Sequence, residues 1–319
     1  MTLPRFPHDS YDGSMPSSPC HVPVLPDEAL SWLDPQPGQI IVDGTLGGGG
    51  HTRLIAQRLE GSRGSGLGIR GSGVGDGYVL GVDRDPAVIV RAEQTLKGLP
   101  VKVAQANFCD LGEVLDELHV SHVDGVLLDL GLSSDQLADE ERGFSFDASG
   151  PLDLRFNRDE GEPATSLLAR LPERELADLI YQFGEERLSR RIARRIVAER
   201  AERPIKTAAE LAQLIRRCVP RSADKLDPAT RTFQALRIAV NRELESLDLA
   251  LARIPDYLRP GGRLAIISFH SLEDRRVKEA FRSDPRLKPL TKKPIRPTDE
   301  EAYRNPRSRS AKLRVAEKV

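Results

Sequence analysis

An apolar run, Ile40-Ile41-Val42, ends in Asp43 and passes at once into Gly44-Thr45-Leu46-Gly47-Gly48-Gly49-Gly50-His51. Beyond the glycines, Thr52 to Leu59 carries its apolar residues at helical spacing. Strand, glycine turn and helix in that order make the opening unit of a doubly wound α/β sheet. Ligands bind such sheets at the carboxyl ends of the strands. Glycine allows the sharp turn and the close approach because no Cβ stands in the way. The dinucleotide fingerprint G-x-G-x-x-G fails here: started from Gly47 or Gly48, its third glycine falls on Thr52 or Arg53. A nicotinamide cofactor is therefore disfavoured.

Two more apolar runs end in acids, Tyr78 to Asp83 and Val123 to Asp129. An acid ending the second strand suits the two hydroxyls of a ribose. Any one such acid could simply cap the next helix. Asp43, Asp83 and Asp129 together at one sheet edge predict a site. Val101 to Gln105 supplies another strand, and Phe108 after it suits either an adenine ring or the core. Helices are expected from Asp27 to Leu33, Asp85 to Leu96 and Leu111 to Leu118, with Asp85-Pro86 as N-cap and first residue.

Past residue 140 the pattern changes. Pro163 to Glu245 is almost wholly helical, with helices expected from Pro172 to Gly184 and from Glu185 to Arg203. Thr207 and Glu210 form a capping box for the next one. A helix from Glu245 to Leu258, a turn at Pro260-Gly261-Gly262 and a strand from Arg263 to Ser268 then resume the sheet. Lys312 to Ala316 is read as a late edge strand. The expected organisation is a tail at 1–20, a sheet domain at 21–140, a helical insert at 141–245, and the rest of the sheet with a basic tail at 246–319. The Gly/Ser-rich stretch from Gly61 to Gly77 cannot build a core and is read as a flexible excursion.

Charge balance excludes little, since 47 Lys and Arg oppose 48 Asp and Glu. Its distribution is more informative. Arg190, Arg191, Arg194 and Arg195 form a stripe on one insert helix, and bases outnumber acids after Arg286. Both suit phosphate contact, although a charged helix face is commonly just solvated. Cys20, Cys109 and Cys218 have no metal-type spacing, which fits a reducing compartment. No apolar run approaches a membrane span. A cytoplasmic protein without a metal is expected, and a homodimer is left open.

Three stretches carry a specific likeness: Asp43 to His51; Leu128-Asp129-Leu130-Gly131-Leu132-Ser133-Ser134 with Gln136 and Arg142-Gly143-Phe144-Ser145-Phe146; and Ile266-Ile267-Ser268-Phe269-His270-Ser271-Leu272-Glu273-Asp274. Together with Pro228 to Ile238 they resemble the ribosomal RNA small-subunit methyltransferase H family, also called MraW. The resemblance runs from His21 to the C-terminus. It implies a Rossmann-like class I methyltransferase fold, S-adenosylmethionine as methyl donor, and methylation of N4 of a cytidine in the decoding region of 16S rRNA. By the family pattern, Gly49, Gly50, His51, Asp83, Phe108, Asp129 and Gln136 line the cofactor site. Two departures stand out: the excursion from Gly61 to Gly77 is longer than the family's turn, and Asp135 stands where proline often follows the serines.

Methyl transfer from a sulfonium needs the nucleophile placed in line. An acceptor for the amine N–H groups would favour attack, most strongly where water is excluded. Asp129 is the first candidate, with Ser133, Ser134 and Ser268 behind it. His270 could take a proton, orient the base or serve structure alone. Arg190 and Arg194 are the expected RNA contacts. Competing readings are an amine methyltransferase for another nucleic acid or a protein, and a cofactor-binding ribosome assembly factor without turnover.

Overall fold

Burial on both faces explains why the strands read as unbroken apolar runs. The computed structural model describes residues 22–60, 77–146, 149–220 and 226–319. The N-terminal tail and nearly all of the Gly/Ser-rich excursion lie outside them. In chain order the elements are α1 (Pro26–Leu33), β1 (Ile40–Asp43), α2 (Gly50–Glu60), β2 (Tyr78–Asp83), α3 (Pro86–Thr95), β3 (Val101–Gln105), α4 (Leu111–Glu117) and β4 (Val123–Asp129). A short α5 (Ser134–Ala138) leads to five helices: α6 (Ala164–Arg170), α7 (Glu173–Gly184), α8 (Ser189–Glu202), α9 (Ala208–Cys218) and α10 (Thr230–Asn241). The chain closes with α11 (Glu243–Tyr257), β5 (Leu258–Ser268), α12 (Ser271–Ser283), β6 (Leu287–Pro289), α13 (Asp299–Arg304) and β7 (Lys312–Lys318).

The strands form one sheet in the order β3-β2-β1-β4-β5-β7-β6. The first five run parallel, and β7 is antiparallel to both its neighbours. Crossovers reverse direction between β1 and β4, so the ligand crevice should open beyond Asp43 and Asp129. This is the Rossmann-like class I methyltransferase sheet that the sequence predicts. Two caps behave as read. The Asp85 side chain accepts from Ala87 N–H at 3.0 Å, and Thr207 and Glu210 form their reciprocal pair.

The helices between β4 and β5 bury a core of their own. Leu168, Leu176, Ile180, Ile192, Ile196, Leu211, Ile215 and Leu236 pack together with Phe144 and Leu154. Apolar clusters on the two sides of the sheet are separate from it.

Three expectations need correction. The helix expected from Glu185 starts at Ser189, because Glu185 adopts a left-handed conformation (φ 49°) that ends α7. Pro260-Gly261-Gly262 does not precede the strand but bulges within β5. Val123 pairs with Leu258 and Gly125 already with Arg263, and Gly261 takes φ +81°. The strand from Lys312 is interior, not an edge: Leu313, Arg314, Val315 and Ala316 are buried, and the three-residue β6 flanks it. So short a strand, ending in Pro289, carries no period-two signal, and proline suits an edge. Among the described residues no helix is long and apolar enough to cross a membrane.

Candidate active site

The glycine turn after β1 is held by acids, which fixes where the crevice opens. Asp43 accepts from Thr52 Oγ1 at 2.6 Å and from Thr45 N–H at 3.2 Å. It is 1% exposed, and burial raises its pKa against the opposing pull of His51 and Thr52. Of the three strand-end acids it is the one that does not line the crevice. Gly47, at φ +48°, donates its N–H to Asp83 Oδ2 at 2.9 Å. Asp83 Oδ1 accepts from Asp85 N–H at 3.0 Å. Burial pushes the Asp83 carboxyl up to about 6 in spite of these bonds. Each oxygen keeps a further lone pair for a ligand.

Beyond β4, Asp129 donates its N–H to Thr45 Oγ1 at 2.6 Å, which ties the fourth strand to the first turn. Its Oδ2 faces His51 Nε2 at 3.6 Å, too far for a hydrogen bond but close for an ion pair. Asp129 Oδ1 and His51 Nε2 are both buried and without a hydrogen-bond partner. Burial is the largest influence on His51 and pulls its pKa down; the nearby Asp129 and Asp43 outweigh it, so the pKa is raised. Ser133 and Gln136 cap α5 reciprocally. Gln136 Nε2 also donates to Asp85 Oδ2 at 3.5 Å, and Arg142 makes a buried ion pair with the same oxygen at 2.6 Å.

A cleft of about 930 Å³, open to solvent, lies beside these residues. Gly50, His51, Asp83, Phe108, Asp129, Ser133 and Gln136 all face it. Gly49 does not: at φ +73° it packs under Leu96 and shapes the turn from behind. Ser268 does not either. It is 1% exposed, and its hydroxyl donates to the Lys312 carbonyl at 3.4 Å. Ser134 begins α5. Arg190 and Arg194 are exposed on α8, and Arg194 lies 3.6 Å from Glu173. Neither is among the residues lining the cleft.

His270 belongs to a neighbouring cleft of about 700 Å³, walled by Phe144, Phe146, Phe233 and Phe269. Leu132 lines both clefts, and Gly131 on the first packs against Phe269 on the second. His270 caps α12, with its Nε2 3.1 Å from Glu273 Oε1. Glu273 is held below the usual carboxylate range: burial pushes it up, but His270 and Arg237 and the Phe269 N–H outweigh that. Glu243, His270 and Glu273 lie close enough to hold a cation. Arg237 already serves Glu243 as counter-ion, at 2.8 and 2.9 Å.

Among the wall residues that the sequence reading missed are Phe156, Glu243 and Glu273. Glu273 stood inside a quoted motif and could have been found there. Phe156 and Glu243 gave no local signal, since only the path of the helical block brings them over the sheet edge.

The cleft suits a nucleoside-bearing ligand. Phe108 and Phe156 offer apolar walls, Asp83 a half-buried acceptor, and Asp129 and His51 two unsatisfied polar atoms.

Comparison with known proteins agrees. The chain is 51% identical over 326 residues to "Ribosomal RNA small subunit methyltransferase H" of Rhodopirellula baltica, covering 99% of this chain and 98% of that one. It is 47% identical to proteins of the same name from Thermomicrobium roseum (95% of each chain) and Deinococcus deserti (100% and 98%). The model of the MraW methylase family matches residues 18–319; the chain belongs to this family and is a methyltransferase.

Proposed function

We propose that this chain methylates ribosomal RNA of the small subunit, at N4 of a cytidine in the decoding region of 16S rRNA. One observation carries the reading: Asp129, a half-buried carboxylate lining the first cleft, has one buried oxygen without a partner, and the loop that follows it leads by Leu132 to the aromatic cleft. When bound, the donor supplies an electrophilic methyl group on a sulfonium. The protein's own part is to hold, orient and dry the reactants. Asp83 would take the ribose hydroxyls, and Phe108 would pack on the adenine. Gly50, His51 and Gln136 would close the cleft around the rest.

A cytosine amine is a poor nucleophile because its lone pair is delocalised into the ring. Asp129 Oδ1, an acceptor only, would bond one amine N–H and favour the attacking geometry. That interaction is worth most in a water-excluded site. The base must leave its stack to reach the pocket. Phe146 and Phe269, the half-buried rings of that cleft, would offer the faces on which single-stranded RNA bases stack, while Phe144 and Phe233 are buried. His270, on the same wall, would orient the base rather than contact the donor. The helical block from 141 to 245 would deliver the substrate, with Arg190, Arg191, Arg194 and Arg195 exposed for phosphate contact.

The test is to incubate the protein with labelled S-adenosylmethionine and small subunits lacking the modification, then map the labelled nucleotide. Label on N4 of a decoding-region cytidine is expected. Label confined to protein, or on another nucleotide, would refute the assignment.

A further inference from the structure

Asp129 faces two ways. Oδ2 looks at His51 Nε2 across 3.6 Å, while Oδ1 has no partner. The imidazole is 6% exposed, and its Nε2 is turned to the carboxylate. In the imidazolium, the Nε2–H faces an acceptor-only carboxylate, so Nε2 is the nitrogen that can exchange a proton with Asp129. A basic atom buried beside the carboxylate that meets the amine is placed to end a proton path.

We propose that His51 is the terminal proton acceptor of methyl transfer, giving up its proton when the cationic donor binds and regaining it from the target amine through Asp129. This rests on the donor and amine reading above. The balance closes. The carbon–sulfur bond breaks with its electron pair going to sulfur, and the amine lone pair makes the new nitrogen–carbon bond. The amine N–H bond then breaks with its electrons returning to nitrogen; Asp129 takes the proton on Oδ1, and its carboxyl turns and closes the 3.6 Å gap to hand that proton to Nε2. Sulfur loses a positive charge as the imidazole gains one. The buried site therefore carries the same net charge before and after, and no charge has to be desolvated or released during the step.

The charges around His51 support this. Asp129 on β4 faces it, and Asp43 on β1 lies behind; both favour the protonated ring in the absence of a cationic ligand. Glu301 on α13 acts from farther off. Arg307 sits near Asp129 and Asp135, and donates to the Leu132 carbonyl in the loop leaving β4. With one carboxylate between them, a sulfonium and an imidazolium compete, because like charges at close range disfavour each other's charged form.

S-adenosylmethionine and S-adenosylhomocysteine differ by that one charge, so the test compares them. Calorimetry at pH 7 in two buffers of different ionisation enthalpy counts the protons exchanged on binding. We expect S-adenosylmethionine to release more protons than S-adenosylhomocysteine, with a difference approaching one. In His51→Gln the two counts should be equal. Equal counts in the wild type, or a difference that survives in His51→Gln, would overturn the proposal. Should that variant fail to fold, the His51 ring signals of the wild-type protein in NMR decide: protonated with the product, neutral with the donor. The same state in both complexes would refute it. If neither ligand binds, the donor reading itself falls, and this inference with it.

Discussion

Asp83 Oδ2 accepts a hydrogen bond from the Gly47 N–H at 2.9 Å, so the acid ending the second strand holds the turn that follows the first. The residue placed to take a ribose thereby also sets the shape of the loop beside it. Donor binding and loop geometry share one carboxylate.

That carboxylate predicts two opposite pH slopes. Burial raises its pKa from 3.8 to about 6, so the folded protein keeps a proton there that the unfolded chain has lost. Its contribution to stability is greatest below the unfolded pKa and is lost as the pH rises through about 6. Measured as wild type minus Asp83→Asn, stability should fall by up to about 3 kcal/mol across that window. Affinity for S-adenosylmethionine should rise over its upper part, since a ribose hydroxyl donates best to the ionised form. Denaturation and calorimetry against pH check both slopes, and parallel slopes would count against the account.

Gly131 takes φ +125°, and a Cβ there would stand 3.2 Å from the Phe269 ring. Backbone of this kind costs an L-residue about 1–3 kcal/mol. Gly131→Ala should lose that much stability in denaturant melts. It should also lower kcat on the subunit more than tenfold at saturating donor, because Phe269 and Asp129 would both be displaced.

Phe269→Ala tests the aromatic cleft. Base stacking on one ring is worth about 1–3 kcal/mol. Methylation per unit subunit concentration, kcat/KM, should drop by roughly ten- to one-hundred-fold, while calorimetric affinity for S-adenosylmethionine stays within about twofold. An equal loss of both would place the ring in the cofactor site instead.

The arginine stripe predicts a salt effect. Every phosphate that a side chain neutralises adds about 0.7–0.9 to the steepness of log K against log salt. Replacing Arg190, Arg191, Arg194 and Arg195 by glutamine should flatten subunit binding by about one to three in that slope. Arg194 and Arg195 already have acidic neighbours, Glu173 and Glu199, so less than the full four is expected. An unchanged slope would leave the stripe as a solvated helix face.

The sheet was legible because β1, β2 and β4 are largely buried apolar runs, and the acids ending them mark the edge where the crevice opens. Asp83 and Asp129 could be read from the strand ends, His51 and Gln136 from the family resemblance, and all four face the cleft. Ser268 could not be placed. One residue of register decides whether a side chain at a strand end meets the ligand or the neighbouring strand, and here its hydroxyl meets β7. Ser268→Ala should accordingly keep its rate within a few-fold. Phe156 was out of reach for another reason. Its position depends on Asn241, eighty-five residues on, whose Oδ1 accepts the Phe156 N–H at 2.8 Å. No short window of sequence contains both partners.

The central claim is that Asp129 acts on the target amine and not only on the donor. Asp129→Asn keeps size and shape but replaces an acceptor-only carboxylate by an amide. The deciding measurement is the single-turnover rate on the assembled small subunit with S-adenosylmethionine saturating. Loss of an interaction made in the transition state persists at saturation, and a drop on the order of one hundred-fold or more is expected for a preorganised group of this kind. A wild-type rate under those conditions would contradict the claim and reduce Asp129 to a binding residue.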